Sequence, residues 1–260
     1  DAHIFMTEDQ IQVEFFGFLK LSERIYGVFG LGFILELSTR PEKSIGTDAK
    51  WAVATDGLRA ALDAYGAEYR LNEGDGAFYG PKIDLHIKDA LGRTWQCGTI
   101  QLDMSLPERF DLGYIDRDNE RRRPIMIHRT IFGSIERFFG ILIEHFAGKF
   151  PLWMAPVQAV ILPINDELAP PAIELKDVLS QAGLRVEVDT RTESLNKKIR
   201  ESQLNNIPLI LTFGAKELES GALAVRTLDG KVQMGVPRDQ FLEVVKASIE
   251  KRDLELNPEF

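Results

Sequence analysis

The sequence predicts a mixed α/β (α+β) chain in two parts, an antiparallel-sheet domain over residues 1–150 and a three-layer α/β domain over residues 151–260. Three observations carry that prediction. First, Lys82–Lys88 alternates, with Ile83, Leu85 and Ile87 on one face and Asp84, His86 and Lys88 on the other; Thr94–Met104 returns through a turn at Asp89–Arg93. Second, Phe150–Pro156 brackets a short apolar segment between Pro151 and Pro156, the pattern of a rigid connector. Third, strands and helices alternate beyond it over about 100 residues, a domain-sized stretch of the kind that sandwiches a sheet between helices.

Taken in order, Asp1–Phe5 reads as the end of an apolar strand, and Thr7–Gln10 (TEDQ) has capping-box spacing. A helix follows to about Gly27, with Ile11, Phe15, Phe18 and Leu19 at helical intervals. Phe33–Ser38 is a strand ended by STRPEK, and a second helix spans Lys50–Tyr65. Ser105–Pro124 is polar and loop-like, with six charged residues in Arg117–Arg123. The second part predicts strands at Val160–Pro163, Leu184–Asp189 and Leu209–Phe213, separated by helices at Ala172–Gln181 and Leu195–Gln203. A hairpin, Ala222–Arg226 with Val232–Val236, turns at Asp229-Gly230, and Gln240–Lys251 is an amphipathic helix.

The stretch Ile125–Leu142 (IMIHRTIFGSIERFFGIL) joins a strand to a helix predicted over 135–148. Ser134 is a suitable N-cap, which puts Arg137 in the first helical turn, where a cation opposes the helix dipole. An anionic or π-rich ligand would account for it, and so would an Arg snorkelling off a core helix.

Composition sets outer bounds. Apolar content of 44% and charged content of 27% are those of an ordinary globular chain. No apolar run reaches the roughly 18–20 residues of a membrane span. Cys97 is the single cysteine, so no internal disulfide forms, and a reducing compartment follows: the cytoplasm, with an organellar matrix as alternative. Net charge is −9, and residues 156–260 hold 13 Lys and Arg against 17 Asp and Glu. A nucleic-acid partner therefore requires a local patch. Arg121–Arg123 and Lys197–Arg200 are the only obvious candidates, and a solvated charge run is the more frequent explanation for each. The chain opens at Asp1 without methionine and is expected to begin inside a domain.

Gly133–Phe138 (GSIERF) resembles the third signature motif of class II aminoacyl-tRNA synthetases. With Met126–Arg129 (MIHR) before it and Phe150–Pro156 (FPLWMAP) after it, the likeness narrows to the threonyl-tRNA synthetase family and covers essentially the whole chain. The resemblance implies a catalytic domain lacking its N-terminal part, then an anticodon-binding domain. It implies ATP-dependent ligation of threonine to tRNA(Thr) through threonyl-adenylate, with Mg²⁺ assisting. A homodimer is implied for the complete protein.

The same resemblance assigns residues. His3 and His128 become two ligands of a Zn²⁺ ion whose Cys ligand belongs upstream of Asp1; two unrelated imidazoles are the alternative. A three-ligand zinc keeps a position open, where threonine can bind through its amino group and hydroxyl. Valine, lacking the hydroxyl, is then rejected far more strongly than an apolar pocket could manage. Serine would pass, and the family's editing domain is not within these residues. Asp1 accepts from the substrate hydroxyl. In Gly76–Lys82 (GAFYGPK), Tyr79 lies by the α-amino group and Lys82 near the carboxylate or phosphate. Gln96 serves ATP, while Thr99 and Gln101 serve the amino acid and the acceptor end. Because these residues point to opposite faces of a flat strand, a β-bulge near Gly98 is expected. Arg137 stacks on adenine beside the γ-phosphate, with Gly133 and Ser134 alongside. Catalysis by Arg137, Lys82 and Gln96 is then positioning and charge stabilisation, without a side-chain nucleophile. The second-motif arginine also belongs upstream.

In the second domain Glu217 (GAKE) and Arg226 (VR) would read anticodon bases. Thr192 and Asn206 depart from the family pattern of Asn and Arg, and Asn206 can hydrogen-bond a base edge but cannot neutralise phosphate. Two other classes stay open: a non-catalytic tRNA-binding relative, and a different class II synthetase of prolyl or histidyl type.

Overall fold

A computed structural model describes residues 1–260, which form two compact units, Asp1–Glu144 and His145–Phe260. The first contains β1 (Ala2–Met6), α1 (Ile11–Val28), β2 (Phe33–Ser38), α2 (Asp48–Tyr65), β3 (Tyr69–Asn72), β4 (Lys82–Lys88), β5 (Thr94–Asp103), α3 (Leu106–Arg109), β6 (Tyr114–Ile115), β7 (Arg121–Arg122), β8 (Ile125–Thr130) and α4 (Ile135–His145). Six strands make one sheet in the order β1-β8-β5-β4-β2-β3, antiparallel except where β3 joins β2.

One face of that sheet is apolar, and α1 and α2 supply the apolar stripes that cover such a face. Leu35, Leu37, Ile83, Leu85, Ile100 and Ile127 are buried on the strands, and Phe15, Phe18, Leu19, Leu58 and Leu62 on the helices. Each such side chain contributes about 1.5–3 kcal/mol on burial. The helix entries follow the local chemistry. Before α1 the Thr7 N–H donates to Gln10 Oε1 at 3.0 Å. At α2 the Thr47 hydroxyl accepts from the Lys50 N–H at 3.3 Å, and Gly66 in the left-handed region ends the helix.

The second unit runs β9 (Ala159–Pro163), α5 (Ala169–Gln181), β10 (Val186–Val188), α6 (Leu195–Leu204), β11 (Leu209–Phe213), α7 (Ala215–Ser220), β12 (Ala222–Arg226), β13 (Val232–Pro237) and α8 (Arg238–Lys251). Its sheet has the order β10-β9-β11-β12-β13; the first three strands are parallel and the last two antiparallel. Ile161, Leu211 and Val225 pack with Leu179 of α5 and with Phe241 and Val245 of α8. Val160, Leu162 and Ile210 pack with Leu195 and Ile199 of α6. Helices thus cover both faces, which is the three-layer arrangement the alternation predicts.

Several expectations need correction. Ser105–Pro124 is not simply a loop: it folds α3 and the β6–β7 hairpin, held by Arg122 to Asp116 and Asp118 and by Arg121 and Arg123 to Asp111. The Arg121–Arg123 run is therefore neutralised in place. Lys197 pairs with Glu193, while Lys198 is buried and donates to the Asp189 carbonyl at 2.9 Å, so that run is not a free basic patch either. Helix α4 stops at His145, ahead of 148, because Ala147 and Gly148 take positive φ values of 49° and 72°. Strand β3 and helix α7 have no counterpart in the sequence reading. No helix is long and apolar enough to cross a membrane.

Candidate active site

Strand registers decide which polar groups meet. β4 pairs with β5 as Lys82 to Gln101, Asp84 to Thr99 and Leu85 to Gly98, and then shifts so that His86 faces Gln96. Cys97 is the extra residue of a β-bulge, at the expected place. The bulge turns Gln96 onto the face that Thr99 and Gln101 already occupy. β8 continues that face, with Thr130 opposite Thr99 and His128 opposite Gln101. β1 extends it by pairing His3 with His128. On the far side β2 adds Glu36 opposite Asp84 and Ser38 opposite Lys82. The sheet face turned away from the core is thus one continuous polar surface carrying His3, His128, Gln101, Thr99, Gln96 and Lys82.

The groups on that surface hold each other. Lys82 Nζ bonds the buried Asp84 carboxylate and lies 3.1 Å from Asp75 Oδ2. Burial works to lower the Lys82 pKa, but the bonds and charges of Asp84 and Asp75 outweigh it and the net shift is upward. The same Asp84 accepts from Gln96 Nε2 at 2.7 Å and from the Ser38 hydroxyl at 3.3 Å. Tyr79 donates its hydroxyl to Gln101 Oε1, and its ring lies 5.0 Å from that of His128. Burial first, and then the Asp103 charge, raises the Tyr79 pKa, so the phenol remains a donor. Thr99 Oγ1 is buried without a hydrogen-bond partner. Such a group is costly unless something pairs with it.

The rings of His3 and His128 are 4.7 Å apart and nearly perpendicular. His128 Nε2 is 2.9 Å from the buried Asp103 Oδ2, a contact that fixes the orientation of the imidazole. The two imidazoles fit two positions of a metal site. Cys97 is buried in the bulge, and burial pushes its thiol up to about 11. Asp1 is exposed at the head of β1, and its carboxylate accepts from the Ala2 N–H.

Ser134 caps α4 as expected, accepting from the Arg137 N–H at 3.3 Å. Arg137 is exposed; its guanidinium donates to the Gln96 carbonyl at 2.9 Å and lies 5.9 Å from the centre of the Trp95 ring. Gly133 (φ 63°) sits so close to β5 that a Cβ there would be 2.5 Å from the Cys97 carbonyl oxygen. Arg137, Gly133 and Ser134 therefore border the Gln96 end of the polar face.

Asp84, Asp103 and the trio Glu36, Asp84 and His86 escape the sequence reading. The ligand atoms of that trio lie within 4.8 Å of one another. The alternation at Lys82–Lys88 marks Asp84 and His86 as facing away from the core, but only the register with β2 and β5 brings their partners to them.

The second unit treats its two residues differently. Glu217, at the third position of α7, accepts from the Gly214 N–H at 2.9 Å and so caps its own helix. Arg226, at the end of β12, donates to the Gly230 carbonyl at 2.8 Å across the hairpin turn, and its Nε is buried without a partner. Asn206 takes a positive φ of 53° just after α6, and Thr192 is exposed.

Residues 1–146 match the tRNA synthetase class II core domain (G, H, P, S and T), and residues 158–248 match an anticodon binding domain. Over 252 residues the chain is 69% identical to a threonine–tRNA ligase of Desulfosudis oleivorans, covering 97% of this chain and 40% of that protein. It is 52% identical to a threonine–tRNA ligase of Clostridium botulinum strain Kyoto, with the same coverage of both. A crystal structure described as the RNA binding domain of threonyl-tRNA synthetase from Cryptosporidium parvum superposes with a TM-score of 0.88 at 40% identity, over 98% of this chain and 63% of that one. This chain spans 40% of the length of these curated relatives. With the core match covering more than half of its residues, the chain belongs to the class II tRNA synthetase core family of the G, H, P, S and T group.

Proposed function

We propose that this chain supplies the catalytic and anticodon-binding portion of a longer synthetase that activates threonine with ATP and transfers it to tRNA(Thr). Residues 1–150 do the chemistry and residues 151–260 bind the anticodon. The observation that carries the reading is the single polar face on which the bulge at Cys97 aligns Gln96 with Thr99, Gln101, Lys82 and His128. The identity to threonine–tRNA ligases supports the choice of amino acid.

On this reading Arg137 and the Gly133–Ser134 turn receive the nucleotide at the Gln96 end. Gly133, whose lack of a Cβ lets the turn pack directly on the Cys97 carbonyl of β5, holds that turn at the Gln96 end. Lys82, kept charged by Asp84 and Asp75, faces the carboxylate and α-phosphate that react. Threonine lies toward His128, with Tyr79, Thr99 and Gln101 offering hydroxyl and amide groups to its polar atoms and Asp1 available to its hydroxyl. The threonine carboxylate oxygen attacks the α-phosphorus; the bond to the bridging oxygen breaks and pyrophosphate leaves with the electron pair. The tRNA ribose hydroxyl then attacks the carbonyl carbon and displaces AMP. The protein's share is alignment and charge stabilisation.

His3 and His128 would hold two positions of a Zn²⁺ ion, which when bound supplies a Lewis-acidic point that distinguishes a hydroxyl from a methyl group. Mg²⁺ enters with ATP. Glu217 and Arg226 meet anticodon bases, the protein is a homodimer, and it works in the cytoplasm. Threonine-dependent exchange of pyrophosphate into ATP by the full-length protein is the test. Exchange with threonine and not with valine is expected; tRNA binding without any exchange would instead favour a non-catalytic relative.

A further inference from the structure

The β5 bulge and the turn after β8 meet at the hydroxyl of Tyr26, a residue of α1 with no catalytic assignment. Tyr26 is fully buried, its ring lying 5.5 Å from that of Phe33 and 6.3 Å from that of Phe138. Its O–H donates to the Ile131 carbonyl, and the same phenol packs against Gly98 of β5. A Cβ on Gly98 would lie 2.9 Å from Tyr26 Oη and 3.1 Å from the Ile131 oxygen, so the three groups leave no spare room. A bulge disturbs the ladder at its extra residue, and buried backbone groups there need a substitute partner. Burial raises the Tyr26 pKa well above the usual phenol range, which keeps the hydroxyl a donor.

The segment Ile131–Arg137 touches the main chain of Gln96–Gly98 at three points. Gly133 abuts the Cys97 carbonyl, Arg137 donates to the Gln96 carbonyl, and Tyr26 forms a bridge by bonding Ile131 while packing against Gly98. Of these, only the bridge comes from a side chain outside both segments. We propose that Tyr26 is a positioning residue of the nucleotide site, its hydroxyl setting the height of the Ile131–Ser134 turn above the β5 bulge and hence where Gly133 and Arg137 meet ATP. The assignment rests on the synthetase reading above and concerns the nucleotide half of the face alone.

Pyrophosphate exchange by the full-length protein, with ATP and threonine varied separately, tests it. Tyr26→Phe keeps the ring packing and is expected to raise the KM for ATP about 5- to 10-fold, the order one hydrogen bond is worth, with the KM for threonine within about twofold. Gly98→Ala drives a Cβ into the same junction and is expected to give the same selective change. It also decides the matter if thermal melting finds Tyr26→Phe unfolded. An unchanged KM for ATP, or equal rises in both constants, overturns the assignment while leaving the synthetase reading intact. No exchange by the unaltered protein overturns that reading, and the role of Tyr26 falls with it.

Discussion

The two units present their chosen residues in opposite ways. On the first, side chains from β1, β8, β5, β4 and β2 converge on one face and bond one another, as in Lys82 to Asp84 to Gln96 and Tyr79 to Gln101. On the second, Glu217 and Arg226 each bond the backbone of their own turn. A bond-making site needs several groups fixed to within fractions of an ångström, and mutual hydrogen bonds provide that. On the proposed reading the second surface meets exposed anticodon bases, and there each group is held singly on its own backbone scaffold. The contrast teaches where damage will spread: widely through the first face, locally in the second.

Five substitutions or treatments sharpen the comparison. Arg137→Ala should lower the rate of pyrophosphate exchange about 10²- to 10³-fold, the effect of removing one transition-state donor, without moving the melting temperature. Arg226→Ala should leave exchange untouched and raise the KM for tRNA in the aminoacylation assay; a fall in exchange there would break the division of labour. Asp84→Ala comes next. It leaves Lys82 buried beside Asp75 alone and frees Gln96, so stability should fall by about 3 kcal/mol in urea unfolding and exchange should fall with it. Glu217→Ala removes a helix cap and should cost about 1 kcal/mol in the unfolding of the second unit, again without touching exchange. The smallest effect concerns Cys97. With its thiol pushed up to about 11 by burial, it stays protonated at pH 8 and should resist alkylation until the protein is unfolded, as read by mass spectrometry. The sign is fixed: a thiol whose pKa is raised in the folded state favours folding below its unfolded pKa, and that stability is lost as pH rises through about 11.

Much of this was legible in the residues. β2, β4 and β11 lie where alternation and apolar runs put them, the Asp89–Arg93 turn closes with Gly92 at φ 81°, and Ser134 caps α4. The bulge follows from two amides that cannot otherwise share a face. Tyr69–Asn72 escaped because β3 is an edge strand whose existence depends on a parallel partner, β2, rather than on its own pattern. The β6–β7 hairpin escaped because six charges announce polarity without revealing which pairs close. Asp84 is the most instructive miss. Period-2 alternation distinguishes a core face from a polar one, but a solvated polar face and a site face look alike in sequence. Only the register, which seats Asp84 between Lys82, Gln96 and Ser38 at 1% exposure, tells them apart.

On the proposed reading one face carries both substrates, nucleotide toward Arg137 and threonine toward His128. A crystal structure of the full-length protein with a non-hydrolysable sulfamoyl analogue of threonyl-adenylate measures this directly. The predicted result is adenine on Arg137 beside Gly133, the sulfamate near Lys82 and Gln96, and the threonyl group reaching Tyr79 and His128. An analogue bound off this face, or lying on it with adenine at the histidine end, would contradict it.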